Sequence, residues 1–237
     1  MAELRRFDVG GTHLAVLVHD AARSTLPPAV LLPGTGLTAS DWDVVAADLS
    51  RDRTVHAVDL RGHGASDRSG AYSIELMASD VEALLPQLAD DGVRLDVVGH
   101  SLGGLVACRV AADSPLVRRL VLEDVGLMRP RRPSMPSRPR GDIDFDWAMV
   151  EQTRPQVDSP SAGWPDLLRR IAVPVLAIGG GPRSFVPQEW IDDLVATIPS
   201  ATGVTIDAGH EVHAARPTEF LAAVRSFLDG SPGPQHG

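Results

Sequence analysis

Between Leu95 and Ala107 a short apolar run, Leu95-Asp96-Val97-Val98, leads into Gly99-His100-Ser101-Leu102-Gly103-Gly104 and then into the apolar start of a helix at Leu105-Val106-Ala107. No other stretch constrains the fold as much, because here a strand must become a helix within a few residues. Glycines around Ser101 let strand and helix approach where a side chain would collide, and the serine itself must take a strained backbone conformation. The G-x-S-x-G spacing is that of a nucleophile elbow, which exposes the hydroxyl at a helix N-terminus. There the helix dipole and the N–H of Leu102 can stabilise negative charge forming on a substrate oxygen. Without chemistry, the same residues would be a glycine-rich strand-to-helix turn.

The rest of the chain supplies the elements that such a turn needs. Residues 6–18 alternate apolar and polar around Gly10-Gly11, a pair suited to the positive φ angles of a tight turn, so an antiparallel hairpin is expected first. Apolar runs recur at Ala29–Leu32, Val55–Val58, Leu95–Val98, Leu120–Leu122, Val173–Ile178 and Val204–Ile206. Helical periodicity covers Ser40–Leu49, Ile74–Leu88, Leu102–Ala112, Trp164–Ile171, Gln188–Thr197 and Pro217–Leu228. Alternating strands and helices predict an α/β fold, a mostly parallel central sheet with helices on both faces. A chain of 237 residues, 43% hydrophobic, is enough for a single domain over 1–237. Ser231–Gly237 reads as a frayed tail.

Residues 126–165 break the rhythm. Six prolines, from Pro130 to Pro160, and only a weak helix-like patch over Phe145–Gln152 exclude a sheet strand, so this stretch is expected to be a short cap insertion between two strands. Arg129, Arg131, Arg132, Arg138 and Arg140 gather in it, either to attract an anionic substrate or carrier or simply as a solvated loop.

Charge narrows the partners. A formal net charge of −9 argues against nucleic acid or an anionic membrane surface and favours a small-molecule substrate. The first residues lack a signal-peptide core and no apolar run approaches spanning length, so a cytoplasmic protein is expected. One cysteine, Cys108, excludes an internal disulfide or a multi-cysteine zinc site, and no metal or cofactor is expected. Cys108 falls on the helix after Ser101, as packing or as a reactive thiol.

A second motif, Asp59-Leu60-Arg61-Gly62-His63-Gly64-Ala65-Ser66-Asp67, follows the run at Val55–Val58. Together with Gly-His-Ser-Leu-Gly-Gly, in this order and spacing, it resembles the α/β-hydrolase superfamily over nearly the whole chain. The resemblance implies a serine nucleophile at Ser101 and makes the Asp59–Asp67 loop a structural brace, so His63 is not assigned to catalysis. It places the general base in the loop after the last strand, which here is His210 in Asp207-Ala208-Gly209-His210. His213 is close enough in sequence to line the same pocket, whereas His13, His19, His56 and His236 fall where surface or core roles are the default. The oxyanion hole would pair the Leu102 N–H with that of Thr35 in Leu32-Pro33-Gly34-Thr35-Gly36, where Pro33 replaces the family's usual histidine. Gly34 in that loop, with Phe145 and Trp147 of the insertion, is expected to contact substrate. Met149 and Trp164 could do so too, and all four apolar side chains could equally anchor the insertion.

The acid is the departure. The family's usual carboxylate position, after the penultimate strand, holds Arg183, and a cation there would disfavour the imidazolium that a triad must form. Some members carry the acid at the end of the preceding strand, where this chain has Glu123-Asp124. Asp124 is the expected acid and Glu123 the alternative; if neither reaches, Ser101 and His210 remain a dyad. The reading that follows is a serine hydrolase acting on a small ester, lactone or thioester through an acyl-enzyme. The alternative is a catalytically weakened or non-hydrolytic member of the fold, serving as a ligand binder, lyase or other biosynthetic protein.

Overall fold

In this computed structural model, residues 2–21, 23–89 and 92–230 are described; the expected tail Ser231–Gly237 and His236 lie outside them. The chain opens with the hairpin β1 (Glu3–Asp8) and β2 (His13–His19), whose turn places Gly10 and Gly11 at φ +92° and +90°. Then follow β3 (Ala29–Leu32), a 3-10 turn (Ala39–Trp42), α1 (Asp43–Leu49), β4 (Val55–Val58) and α2 (Ile74–Leu88). The elbow joins β5 (Leu95–His100) to α3 (Ser101–Asp113), and β6 (Val117–Glu123) leads into the insertion, which holds α4 (Trp147–Asp158). After α5 (Trp164–Arg169) come β7 (Val175–Gly179), a 3-10 turn (Gly181–Arg183), α6 (Gln188–Thr197), β8 (Ala201–Thr205), α7 (Val212–Ala215) and α8 (Pro217–Asp229).

The eight strands form one sheet in the order β1-β2-β4-β3-β5-β6-β7-β8. β1 pairs antiparallel with β2, and β2 with β4; from β4 onward every pairing is parallel. Successive residues face opposite sides, so each central strand feeds two cores. Val30, Leu32, Val97, Leu120 and Leu122 pack with α2, α3 and α5 on one face, while Leu31, Val98 and Val121 meet Trp42, Phe220 and Val224 on the other. Burial on both faces explains why these strands read as unbroken apolar runs.

β8 differs from its expected place at Val204–Ile206. As an edge strand it is largely exposed and carries no apolar run to mark its bounds. α4 likewise runs beyond the expected patch, with Pro155 inside its last turns and Asp146 capping its start by accepting from Ala148 N–H at 3.0 Å. No helix among the described residues is long and apolar enough to cross a membrane.

Candidate active site

The parallel sheet brings the ends of β5, β6 and β8 to one edge, and each delivers one residue of the expected site. At the elbow, Ser101 has φ +50°, a left-handed conformation that a side-chain-bearing residue seldom takes. The surroundings force it: a Cβ on Gly99 would stand 2.6 Å from the Gly103 carbonyl oxygen, and one on Gly103 would strike the Leu32 carbonyl oxygen. Only Asp124 joins Ser101, among the described non-glycine residues, at a positive φ, also +50°. Such strain persists where the surrounding structure over-determines it, and both residues stand where a strand leaves the sheet.

Asp124 is buried at the end of β6, and its carboxylate is fully partnered. Oδ2 lies 2.6 Å from His210 Nδ1 and accepts from the Ser184 hydroxyl, and Oδ1 accepts from the Gly180 N–H at 2.8 Å. That contact favours the tautomer with its proton on Nδ1, in which Nε2 is the acceptor. Gly180 also binds the other side of this pairing, because its carbonyl accepts from Ala208 N–H and Gly209 N–H, the loop that carries His210. A Cβ on Gly180 would overlap the Gly209 carbonyl oxygen. Sequence reasoning missed Gly180 and Ser184; the run Gly179-Gly180-Gly181 after β7 was the available signal.

Arg183, at the family's usual acid position, turns outward. Its Nε donates to Asp207 at 2.9 Å and it also donates to the Asp207 carbonyl, so its charge is balanced away from His210. Glu123 does not act on His210 either. It is wholly buried and accepts from the backbone N–H and ring Nδ1 of His213 at 2.8–2.9 Å. His213 is itself 3% exposed, stacked on Trp42 at 4.3 Å, and is absent from the wall of the Ser101 cavity. Burial works against both charges, but hydrogen bonding and attraction between the two groups win, raising the His213 pKa and lowering that of Glu123.

His100, the residue before Ser101, donates from Nε2 to the His210 carbonyl at 3.0 Å. Burial lowers its pKa to about 4, so it is a neutral strut. Gly34 packs against it, where a Cβ would stand 2.5 Å from His100 Nδ1; its part is close packing and not contact with the cavity. The loop around Pro33 is steadied without the family's histidine. Gly36 N–H donates to His63 Nε2 at 3.1 Å, and Gly103 N–H donates to the Pro33 carbonyl at 3.1 Å. His63 is buried and its pKa is driven down to about 4, so its Nε2 stays free to accept.

Ser101, His210, Asp124, Leu102 and Thr35 all line one cavity of about 340 Å³. Its other walls include Leu37, Leu105, Val125 and Met128, residues of α4 and the aromatic Trp190; the Phe185 ring lies 4.1 Å from that of His210. Phe145 and Trp147, expected at the substrate, stand elsewhere. Phe145 packs against His63 and Trp147, and both line a second cavity with Arg68 and Arg138. Met149 and Trp164 are core residues, anchoring the insertion to the body. The Cys108 thiol is wholly buried and its pKa is raised, which makes it inert packing.

Comparison with known proteins agrees with this fold. The family model described as alpha/beta hydrolase family matches residues 29–224. Esterase YbfF of Escherichia coli is 28% identical, with 85% of this chain and 93% of that protein covered. The sn-1-specific diacylglycerol lipase ABHD11 of Mus musculus is 27% identical over 86% of this chain and 82% of its own. The crystal structure of the enol-lactonase from Burkholderia xenovorans LB400 superposes with a TM-score of 0.82 at 23% identity, covering 95% of this chain and all of that one. With a family match that spans most of its length, eight strands in this order and a strained serine at the elbow, the chain belongs to the alpha/beta hydrolase family.

Proposed function

We propose that this protein is a serine hydrolase that cleaves a small ester, lactone or thioester through an acyl-enzyme, with Ser101 as nucleophile, His210 as base and Asp124 as the orienting acid. The observation that carries the reading is the 2.6 Å contact between His210 Nδ1 and the buried Asp124 carboxylate, on the wall of the cavity that Ser101 also lines.

In the reaction, Ser101 Oγ attacks the carbonyl carbon as its proton passes to His210 Nε2. The oxygen that becomes negative is met by the N–H groups of Leu102 and Thr35, the first at the start of α3 where the helix dipole adds to the stabilisation. Asp124 holds the ring in the productive tautomer and stabilises the imidazolium. The proton then goes to the departing alcohol or thiol, and water activated by His210 repeats the sequence to release the acid. The relatives named as esterase and lipase agree with ester chemistry.

Intact-mass spectrometry after exposure to a fluorophosphonate tests the reading without knowledge of the substrate. One equivalent of label on the wild type and none on Ser101→Ala is expected. A wild type that stays unlabelled, or label retained by Ser101→Ala, contradicts it.

A further inference from the structure

We propose that the substrate carries a carboxylate, which the guanidinium groups of Arg131 and Arg154 bind in the Ser101 cavity; the inference rests on the hydrolase reading above.

The two arginines come from different elements, Arg131 from the chain after β6 and Arg154 from α4, yet both line this cavity. Like charges do not gather without cause. Here the cause is Asp158, 1% exposed, which accepts from Arg131 Nε at 2.6 Å and from Arg154 Nε at 3.0 Å. Ser134 N–H donates to the same carboxylate at 3.0 Å, and Arg131 N–H donates to the Asp158 carbonyl at 2.9 Å. Burial opposes the charge on Asp158, but the bonds from Arg154, Ser134 and Arg131 overcome it and hold the pKa at about 2. The carboxylate is therefore ionised throughout the neutral range and fixes both arginines in place.

This pairing consumes only the Nε donor of each side chain. Among the described residues the terminal nitrogens of Arg131 and Arg154 have no hydrogen-bond acceptor, and one carboxylate balances one of the two positive charges. Val150, Thr153, Arg154 and Val157 repeat at helical spacing, so a single face of α4 meets the cavity with one cation among small and apolar groups. Arg131 also lies 5.9 Å from the Trp190 ring, a further restraint on its plane. Glu211, the other carboxylate on the cavity wall besides Asp124, is exposed to solvent. Two oriented, planar donors with unused N–H groups in a mostly apolar cavity match a carboxylate, and Arg binds such a group through two parallel bonds. Of the five arginines concentrated in residues 129–140, Arg131 alone reaches this cavity; Arg129 is taken up by Asp193.

The test uses Ser101→Ala protein, so that binding is read without turnover. It is titrated calorimetrically with the monomethyl esters of the straight-chain diacids from succinate to suberate, each beside its dimethyl ester. At least one monomethyl ester is expected to bind tenfold or more tightly than its neutral partner at low salt. The preference should shrink with added salt and fall below about threefold when Arg154→Gln or Arg131→Gln is added. Arg154→Lys, which keeps the charge facing Asp158 but loses the planar fork, gives a variant with less risk to folding and should lose most of the preference. No saturable binding of any monoester, equal binding of both members of every pair, or a preference untouched by all three substitutions overturns the proposal. Turnover of the same esters by wild type separates the two readings. Selective binding without turnover or fluorophosphonate labelling would keep the anion site and remove the hydrolase; turnover without selectivity would do the reverse.

Discussion

At the scale of single residues, the proposed site turns on which of two adjacent carboxylates meets His210. Glu123 ends β6 and Asp124 leaves it at φ +50°, and the two meet different histidines, Asp124 meeting His210 and Glu123 meeting His213. Their removal should therefore have different consequences. Glu123→Gln leaves the buried His213 without its counter-charge and should cost about 3–5 kcal/mol of stability, seen as a lower denaturant midpoint. The folded fraction should still take fluorophosphonate. Arg183→Ala removes only an exposed pair with Asp207, and turnover should stay within about threefold of wild type, because exposed pairs contribute roughly 0–1 kcal/mol. A large loss would mean that Arg183 acts on the site after all. Ser101 and His210 could be singled out from the sequence as the proposed nucleophile and base because their motifs are local. The pairings of Asp124 with His210 and of Glu123 with His213 join residues 86 and 90 apart, and only folding decides which carboxylate meets which ring.

At the scale of elements, the turns after β6 and β7 operate as one unit. Gly180 N–H holds the Asp124 carboxylate and the Gly180 carbonyl holds the loop of His210, so Gly180→Ala should push that loop away from Asp124. The expected result is a fall in kcat of a hundredfold or more with the far-ultraviolet circular dichroism of the wild type; full activity would show that the loop yields without cost. β3, β4, α2 and α6 have the bounds that their sequence patterns predict, since continuous burial or one apolar face writes itself into the chain. α4 was harder to see. Pro155 and a polar surface mask its period, and what stabilises it is contact with the body through Met149 and Val150. Arg154 is the consequence: it belongs to no run of charge, and only the helix turns it toward the cavity.

At the scale of the whole molecule, the histidines buried around the site make stability depend on pH. His63 and His100 both have pKa values of about 4, lowered chiefly by burial, against about 6.5 in the unfolded chain. Between pH 6.5 and 4 the unfolded state binds two protons that the folded state refuses, so stability rises with pH in that window, by roughly 3 kcal/mol for each ring. His213 has the opposite sign. Its raised pKa contributes stability that is fully present below pH 6.5 and is lost as pH climbs through the raised value. Denaturant midpoints should thus peak near pH 6.5 and fall on both sides, and a midpoint unchanged between pH 6.5 and 4.5 would contradict the burial of these rings as neutral groups. The fold also explains why three residues distant in sequence meet at all: parallel strands point the same way, and their C-terminal ends share an edge. The central claim, that Asp124 just after β6 replaces the acid missing at Arg183, is tested most directly by the pre-steady-state acylation of wild type and Asp124→Asn by 4-nitrophenyl acetate. The account predicts acylation about ten-thousand-fold slower in Asp124→Asn with the fold intact. A rate within threefold of wild type would contradict it and leave Ser101 and His210 as a dyad.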